Sequence, residues 1–242
     1  MPNAIKPNDL IALRDDFPQY NLSRGRIGRV LEVITPDEFE VEFREDNKLV
    51  PVRAEQVNSL YEDVTLDEAT FWKLIETARV DSGGDIQRQY ELLVDRLAAM
   101  PIAYILMFSD IFDKIRGMAY RRELWAAANI VIGGCSDDGF IDFRAWLIAQ
   151  GEQVFHDALR DPETLVDLVP IVSDGVLSYA DAVFERMNYV AKRAYETKTR
   201  EKMPFFPRIH PWPELTGKQW DDETAERMYP KLVAKFGGNY TE

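Results

Sequence analysis

The segment from Gly133 to Gly139, with the sequence GGCSDDG, is the stretch of this 242-residue chain in which side chains that could do chemistry lie closest together. The neighbouring carboxylates of Asp137 and Asp138 could attract a cation or a basic partner. Cys135 could act as a nucleophile if a helix N-terminus stabilised its thiolate. A structural interpretation competes with both, because glycines end helices and Ser136 or an aspartate caps the helix that follows. We favour capping over a partner or ligand surface, and either over catalysis.

A second acidic loop, from Asp81 to Asp85, has the sequence DSGGD and repeats the same pattern. If the two loops met in space, their four aspartates would supply oxygen ligands of the kind that Mg²⁺ and Ca²⁺ prefer. The residues after Asp137 do not follow the order of an EF-hand loop, so we predict no metal site. A ligand-binding or enzymatic site at the two loops stays an alternative function. The candidate residues for binding a ligand or a partner are Asp81, Asp85, Cys135, Ser136, Asp137, Asp138 and Arg144.

Aromatic residues and histidines could also line a site. Trp212 and Trp220 flank a proline-rich segment and are the tryptophans best placed to line a surface groove. The other tryptophans lie at helical spacing, where they more often belong to a core. His156 and His210 carry the same structural interpretation. The sequence contains no serine-hydrolase elbow, Walker A loop, HExxH or GxGxxG pattern, and we predict no catalytic residue.

The segment from Arg24 to Arg29, with the sequence RGRIGR, is a compact basic cluster. Small β-barrels can bind nucleic acid through such loops, so Arg24, Arg26 and Arg29 are candidate contacts in an alternative function as a nucleic-acid adaptor. The cluster offers only three charges and no aromatic residue for stacking within it. The competing interpretation is a solvated turn whose glycines allow a positive φ.

Charge and composition set limits on the partners. The chain has 29 Lys and Arg against 42 Asp and Glu, a net charge of −13, which disfavours general binding to nucleic acid or anionic lipid. It suits contact with a basic protein. One cysteine excludes a disulfide framework within the chain and a multi-cysteine zinc or iron–sulfur site, and we predict no cofactor. No signal-peptide pattern or apolar run of bilayer length occurs, so we expect a cytoplasmic protein without a membrane partner.

Residues 1–62 show the two-residue period of β-strands. Phe39, Val41 and Phe43 alternate with Glu40 and Glu42, which puts the apolar side chains on one face of a strand. Further strands are predicted near residues 10–13, 27–34 and 49–52, with turn residues between them. Four or five short strands in about 60 residues predict a small antiparallel β-barrel as the first domain.

Residues 63–242 show the helical period instead. The pattern predicts helices from Thr65 or Asp67 to about Asp81, from Asp85, from Pro101, from Arg121 to Ile132, from Ser136 to Gly151, over residues 152–160, briefly from Asp161, from Ser178, and from Asp222 to Phe236 with a bend at Pro230. Residues 203–214 contain four prolines and three aromatic residues, so we predict an extended strap rather than a helix. The second domain is therefore mainly α-helical, and the fold class is α+β.

Both halves resemble bacterial domain families of unknown function. Residues 8–61, with the segments NDLIAL, RGRIGRV and FEVEF, resemble a small SH3-like β-barrel family that is similar in pattern to the β-barrel of nitrile hydratase β-subunits. Residues 69–236 resemble an all-helical family through the segments TFWKLI, SGGD, LWAAA, GGCSDDGF, FRAWLIAQG and PELTG, with Trp220 following. The resemblance implies an SH3-like barrel followed by a helical domain, and for the barrel an accessory or antitoxin-like role. It implies no nitrile hydratase chemistry, because that enzyme's metal-binding cysteines belong to its other subunit.

These observations favour a non-catalytic cytoplasmic protein that binds another protein, either to neutralise a toxin or to regulate its partner. A basic partner is the best match for the charge of the chain, because opposite charges accelerate association.

Overall fold

The computed structural model describes residues 5–43, 48–60, 66–168, 182–203 and 213–237. The chain forms two compact units, each assembled from separate stretches of sequence. Unit 1 contains Met1–Leu66, Leu97–Asp110 and Lys192–Pro211, and unit 2 contains Asp67–Arg96, Ile111–Ala191 and Trp212–Glu242. The predicted boundary after residue 62 marks where strands give way to helices along the chain. Unit 1 also takes in helical residues from beyond that boundary.

Unit 1 is built on a five-stranded antiparallel sheet with the strand order β4-β3-β2-β1-β5. The strands are β1 (Leu10–Leu13), β2 (Ile27–Thr35), β3 (Glu38–Phe43), β4 (Lys48–Arg53) and β5 (Val57–Ser59). The predicted alternation on β3 is confirmed, since Phe39, Val41 and Phe43 are buried and the glutamates between them are half-buried. An antiparallel β region followed by a mainly helical region confirms the predicted α+β fold class.

The core of the sheet receives side chains from all five strands, together with Phe17 and Leu22 from the loop after β1. Each large apolar side chain buried in this way contributes about 1.5–3 kcal/mol. Gly28 on β2 shows how closely this core is packed. A Cβ atom at this position would lie 2.4 Å from Cγ1 of Val41 and 2.7 Å from the ring of Phe43, so only glycine fits.

A buried ion pair joins the sheet of unit 1 to a helical residue of the same unit. Arg29 on β2 is 1% exposed, and its Nη2 lies 3.2 Å from Oδ2 of Asp110. Its Nη1 also donates a hydrogen bond of 2.8 Å to the backbone oxygen of Asn8. Breaking such a pair from one side costs about 3–5 kcal/mol, because the remaining charge stays buried.

The helices follow the sequence pattern closely. They are α1 (Glu68–Asp81), α2 (Ile86–Ala99), α3 (Ile102–Met118), α4 (Arg122–Ile132), α5 (Asp137–Ala149), α6 (Glu152–Arg160), α7 (Val190–Thr199), α8 (Asp222–Met228) and α9 (Pro230–Phe236). Within the described residues, four further segments form 3-10 helices, at Pro18–Tyr20, Ala54–Gln56, Pro162–Asp167 and Glu185–Tyr189. The terminal helix is broken rather than bent, with α8 ending before Tyr229 and Pro230 opening α9 as its fixed φ favours.

The long helix predicted from Ser178 is wrong over the part that can be compared. Ser178 itself lies outside the described residues, and residues 182–184 are not helical. The α-helix begins only at Val190. The backbone N–H of Phe184 donates to the oxygen of Asp142 on α5, and its buried ring packs on Tyr90. Tertiary contacts of Phe184 therefore replace the helical turn that its sequence neighbourhood favours.

The predicted strap lies mostly outside the described residues, which include only Met203, Pro213 and Glu214 from it.

Candidate functional site

The loop from Gly133 to Ser136 is organised by Asn129, the residue one turn before the end of α4. The backbone oxygen of Asn129 accepts hydrogen bonds from the N–H groups of Gly133 and Gly134. Its side-chain Oδ1 accepts another, of 3.0 Å, from the N–H of Cys135. Gly133 has φ 72° and Gly134 has φ 111°, which is the left-handed region that favours glycine. The glycine pair therefore ends α4, as predicted.

Ser136 caps the next helix, α5. Its Oγ accepts a hydrogen bond of 3.1 Å from the N–H of Gly139, and Asp137 and Asp138 occupy the first turn. Carboxylates in that position are stabilised by the helix dipole, by about 0.3–1 kcal/mol each. The capping interpretation of this loop is confirmed, and it gives Ser136 and both aspartates a structural role.

Cys135 sits in a half-buried position where its thiol is not activated. The indole Nε1 of Trp125 donates a hydrogen bond of 2.8 Å to the backbone oxygen of Cys135. Burial raises the pKa of the Cys135 thiol to about 12, against the smaller opposing effects of Trp125 and Arg144. A thiol with this pKa is protonated at neutral pH and is a poor nucleophile.

Arg144 is a buried cation on α5, 6% exposed. Its Nε donates to the backbone oxygen of Phe140, and its Nη1 donates over 3.0 Å to the oxygen of Arg116 in the last turn of α3. The guanidinium lies 4.7 Å from the ring centre of Tyr120 and 4.8 Å from that of Phe140. Burial and the nearby Arg116 lower the pKa of Arg144 to about 10, and the group stays charged at neutral pH. Arg144 therefore gives a carbonyl oxygen in the last turn of α3 a hydrogen-bond donor and holds α5 against that end of the helix.

The two acidic loops do not meet, so the hypothesis of one site formed by both is wrong. Gln89, in the first turn of α2, donates a hydrogen bond of 2.8 Å to the backbone oxygen of Ala149 at the end of α5. Asp137 starts the same helix, about 18 Å away along its axis at 1.5 Å per residue. Asp85, just before α2, is thus at the opposite end of α5 from Asp137.

The aspartates of the first loop also have internal partners. Asp81 forms a salt bridge with Arg96, and Oδ1 of Asp85 accepts a hydrogen bond of 2.9 Å from the N–H of Arg88. Within the described parts of the chain, no group of three or more His, Cys, Asp or Glu side chains is arranged to hold a metal ion.

An acidic cavity beside the GGCSDDG loop was not predicted. It has a volume of about 330 Å³ and lies at the C-terminal end of α4, and its lining includes Gly133, Gly134, Asp222 and Glu226. We call it the acidic recess. Asp222 and Glu226 are four residues apart on α8 and therefore share one face of that helix. Oδ1 of Asp222 accepts a long hydrogen bond of 3.3 Å from Nδ2 of Asn129, and no described residue pairs with Glu226.

The basic cluster is divided by the structure. Arg29 is buried in its ion pair with Asp110, so the prediction that it contacts nucleic acid, and the competing one of a solvated turn, are both wrong for this residue. The reason is that Arg29 lies within β2, beyond the turn that carries the other two arginines. Arg24 and Arg26 line a groove of about 550 Å³ within unit 1, together with Tyr195, Glu201 and Lys202. We call it the basic groove.

The remaining candidate residues are two tryptophans and two histidines. Trp212 and His210 lie outside the described residues, and Trp220 is half-buried just before Asp221, the N-cap of α8. His156 packs against the rings of Trp72 and Phe155, as the structural interpretation predicts.

The fold and these sites define a two-part protein with an antiparallel sheet, a helical region and charged cavities on each compact unit. Residues 66–197 match the family described as "Protein of unknown function (DUF4240)", and the chain belongs to that family. Residues 8–57 match "Domain of unknown function (DUF4926)". The searches of curated proteins and of solved structures returned no match. The two matches agree with the predicted architecture of two successive domains of unknown function.

Among the described residues, no helix combines the length and the apolar character needed to cross a bilayer.

Proposed function

We propose that this protein is a non-catalytic binding protein in the cytoplasm that recognises a basic protein partner through the acidic recess. The observation that supports it most directly is the pairing of Asp222 and Glu226 on one face of α8 at a cavity that also receives the end of α4. A helix C-terminus carries a partial negative charge, which adds to the field of the two carboxylates. A lysine or arginine side chain of the partner is the group that this arrangement favours.

The charge of the whole chain acts in the same direction. At −13, it draws a basic partner toward the protein over distances of about a Debye length, roughly 8 Å at physiological ionic strength. Such steering raises the association rate more than it raises the affinity. This is useful to an inhibitor that must reach a toxic or active partner quickly, which is why an immunity-like or regulatory role fits best.

The groups that could support catalysis instead hold the fold together. Ser136 is a cap, Arg144 joins α5 to the end of α3, and the pKa of Cys135 is about 12. An enzymatic role at the GGCSDDG loop would need at least one of them to be free or activated. We therefore place non-catalytic binding above catalysis.

Quantitative affinity capture from the native host tests the proposal. The full chain is compared with the double variant Asp222→Asn/Glu226→Gln and with a matched control, Asp15→Asn/Glu32→Gln, which removes the same charge from exposed positions of unit 1. We expect one basic protein in stoichiometric amount with the native chain and the control. The recess variant should bind the purified partner about tenfold more weakly, with a slower association rate.

Two results would contradict the proposal. One is that no stoichiometric partner is captured at either low or moderate salt. The other is a partner whose affinity is the same for the recess variant and for the control, which would place its interface elsewhere.

A further inference from the structure

The basic groove contains cations without partners, which is unusual in a chain with such an excess of acidic residues. The guanidinium of Arg24 and the ammonium of Lys202 have no ion pair or hydrogen bond with any described residue. Arg26 has an interaction of its own, so Arg24 and Lys202 are the two cations free to meet a ligand. Glu201 is the single acidic side chain among the described lining residues, which leaves that part of the groove with a positive charge.

Tyr195 supplies an independent indication that the groove takes a ligand. The residue is only 7% exposed, yet its hydroxyl has no hydrogen-bond partner among the described residues. Its side chain lines the groove. Burial, and then the neighbouring Glu201, raise the pKa of Tyr195, so the hydroxyl keeps its proton and can donate it to an acceptor. Its oxygen is not among the fully buried unpaired side-chain atoms of the described residues, so it is accessible to solvent and can meet an acceptor in the groove.

The backbone on both sides of the groove is held in place before any ligand arrives. The N–H of Gly25 donates 2.8 Å to the oxygen of Leu13, and the N–H of Leu13 donates 3.0 Å to the oxygen of Arg26. The N–H of Arg24 is fixed by Oδ1 of Asp16 at 2.7 Å. On the other side, Oγ1 of Thr199 donates to the oxygen of Tyr195 and accepts from the N–H of Glu201. The backbone that carries the donors is thus held in place, so only their side chains have to be ordered when a ligand binds.

From this geometry we infer that the basic groove binds a small organic phosphate. Arg24 can bind two phosphate oxygens through its planar guanidinium, while Lys202 contributes a point charge. The hydroxyls of Tyr195 and Ser23 are neutral donors beside them. The groove's volume of about 550 Å³ falls within the range of small-molecule sites and exceeds what a bare phosphate needs. Ile27, Met203 and the ring of Tyr195 form an apolar wall for the organic part.

A small ligand fits these observations better than a nucleic acid does. Non-specific binding to nucleic acid depends on many phosphate contacts made by lysines and arginines. Here Arg29 is buried, and the net charge of the chain repels a long polyanion. One or two phosphates placed between Arg24 and Lys202 would pair with both cations, and so few negative charges are repelled only weakly by the rest of the chain. This inference uses a different unit of the molecule from the acidic recess and does not depend on it.

Isothermal titration of the full chain tests the inference directly. The probes are inorganic phosphate, pyrophosphate, AMP and glucose 6-phosphate, with adenosine and glucose as matched compounds that lack the phosphate. The variants are Arg24→Gln/Lys202→Gln and Tyr195→Phe, and the control Arg88→Gln/Lys231→Gln removes the same two charges from exposed positions. We expect millimolar or tighter binding of at least one phosphate probe and none of the matched compounds.

The variants separate the parts of the site. The double variant should weaken binding at least tenfold, and Tyr195→Phe about ten- to a hundredfold, the effect of losing one hydrogen bond to a charged group. The control should bind like the native chain. We expect the groove variants to stay folded, because the side chains they change have no hydrogen bond to another described residue. Circular dichroism checks that each variant is folded.

Three results would overturn the inference. The first is that no phosphate probe binds at 10 mM. The second is that the control loses as much affinity as the groove variant. The third is that a 20-nucleotide single-stranded RNA binds more tightly than every small phosphate, which would show that the groove serves a nucleic acid instead.

Discussion

The GGCSDDG loop and the basic groove differ in what their polar groups do. In and next to the loop, the side chains of Ser136, Asn129 and Arg144 form hydrogen bonds with the backbone at helix ends and in the turn itself. In the groove, Arg24, Lys202 and the hydroxyl of Tyr195 have no partner among the described residues. The residue types of the loop suggest a site already in the sequence. The groove is a candidate only in the structure, which shows polar groups without hydrogen-bond partners.

This difference teaches that residue type alone is a weak guide to a site. A cap residue and a binding residue can both be serine or aspartate, and only the partners distinguish them. The expected consequence is simple: substitutions in the loop should cost stability, whereas those in the groove should leave stability nearly unchanged.

The largest expected effect concerns the reactivity of Cys135. With a pKa of about 12 in the folded chain and about 8.5 in the unfolded one, the thiolate fraction at pH 8 is lower by roughly a thousandfold on folding. We therefore expect iodoacetamide to alkylate the native protein far more slowly than the protein in guanidinium chloride, as followed by mass spectrometry. A native rate within tenfold of the unfolded rate would mean that the loop exposes an activated thiol.

The same shift predicts the direction of a pH effect on stability. Because folding raises the pKa of the thiol, its contribution is complete below about pH 8.5 and is lost as the pH rises toward 12. Cys135→Ala should remove that part of the alkaline loss, which denaturant unfolding at pH 8 and pH 10 would detect.

The next largest effect is that of Arg144→Ala. The change removes a buried side chain that lies over two rings and leaves the oxygen of Arg116 without its donor. We expect a loss of about 3 kcal/mol in the free energy of unfolding, measured by urea denaturation. Arg24→Ala in the groove is the matched comparison and should change that free energy by less than about 0.5 kcal/mol. Equal losses for both would remove the distinction between loop and groove.

A smaller effect is expected for one serine in each region, Ser136 at the loop and Ser23 in the groove. Ser136→Ala removes the N-cap of α5 and should cost about 1 kcal/mol. Ser23→Ala, in the groove, removes a hydroxyl that has no structural hydrogen bond and should fall within about 0.5 kcal/mol of the native chain. If Ser136→Ala proves neutral, Ser136 is not the group that fixes the start of α5.

The smallest effect per residue is that of Asp137→Asn/Asp138→Asn. Both carboxylates lie in the first turn of α5, where each contributes about 0.3–1 kcal/mol through the helix dipole. The loss should shrink when the salt concentration is raised from 0.05 M to 1 M, because exposed charges are screened. A loss that does not depend on salt would point to a specific contact instead.

Features that depend on neighbours in the sequence were predictable. The alternation on β3 and the glycine stop after α4 are set within a few residues, and both were predicted from the sequence alone. Ser136 was a candidate cap because its spacing to Gly139 is that of an N-cap to N3. The i, i+4 spacing of Asp222 and Glu226 was the sequence signal from which one face of the acidic recess could have been predicted.

Features that depend on distant segments were not predictable. The partner of Arg29 lies 81 residues away, so nothing near Arg29 distinguished a buried arginine from the exposed ones beside it. Tyr195 and Lys202 join Arg24 only when α7 folds into unit 1. The late start of that helix has the same origin, since Phe184 is held by the backbone of Asp142.

The ion pair of Arg29 and Asp110 bears on how this protein could have evolved. The DUF4926 match covers Arg29 but not Asp110, so a gene segment limited to the matched residues would encode an arginine in a core without its carboxylate. Transplanting that segment into another gene would succeed only if the recipient supplied an acidic residue at the same place, or if Arg29 changed as well. The segments that encode the sheet and α3 are therefore expected to be inherited together. The two positions should change together among descendants, and recombination between them should be selected against.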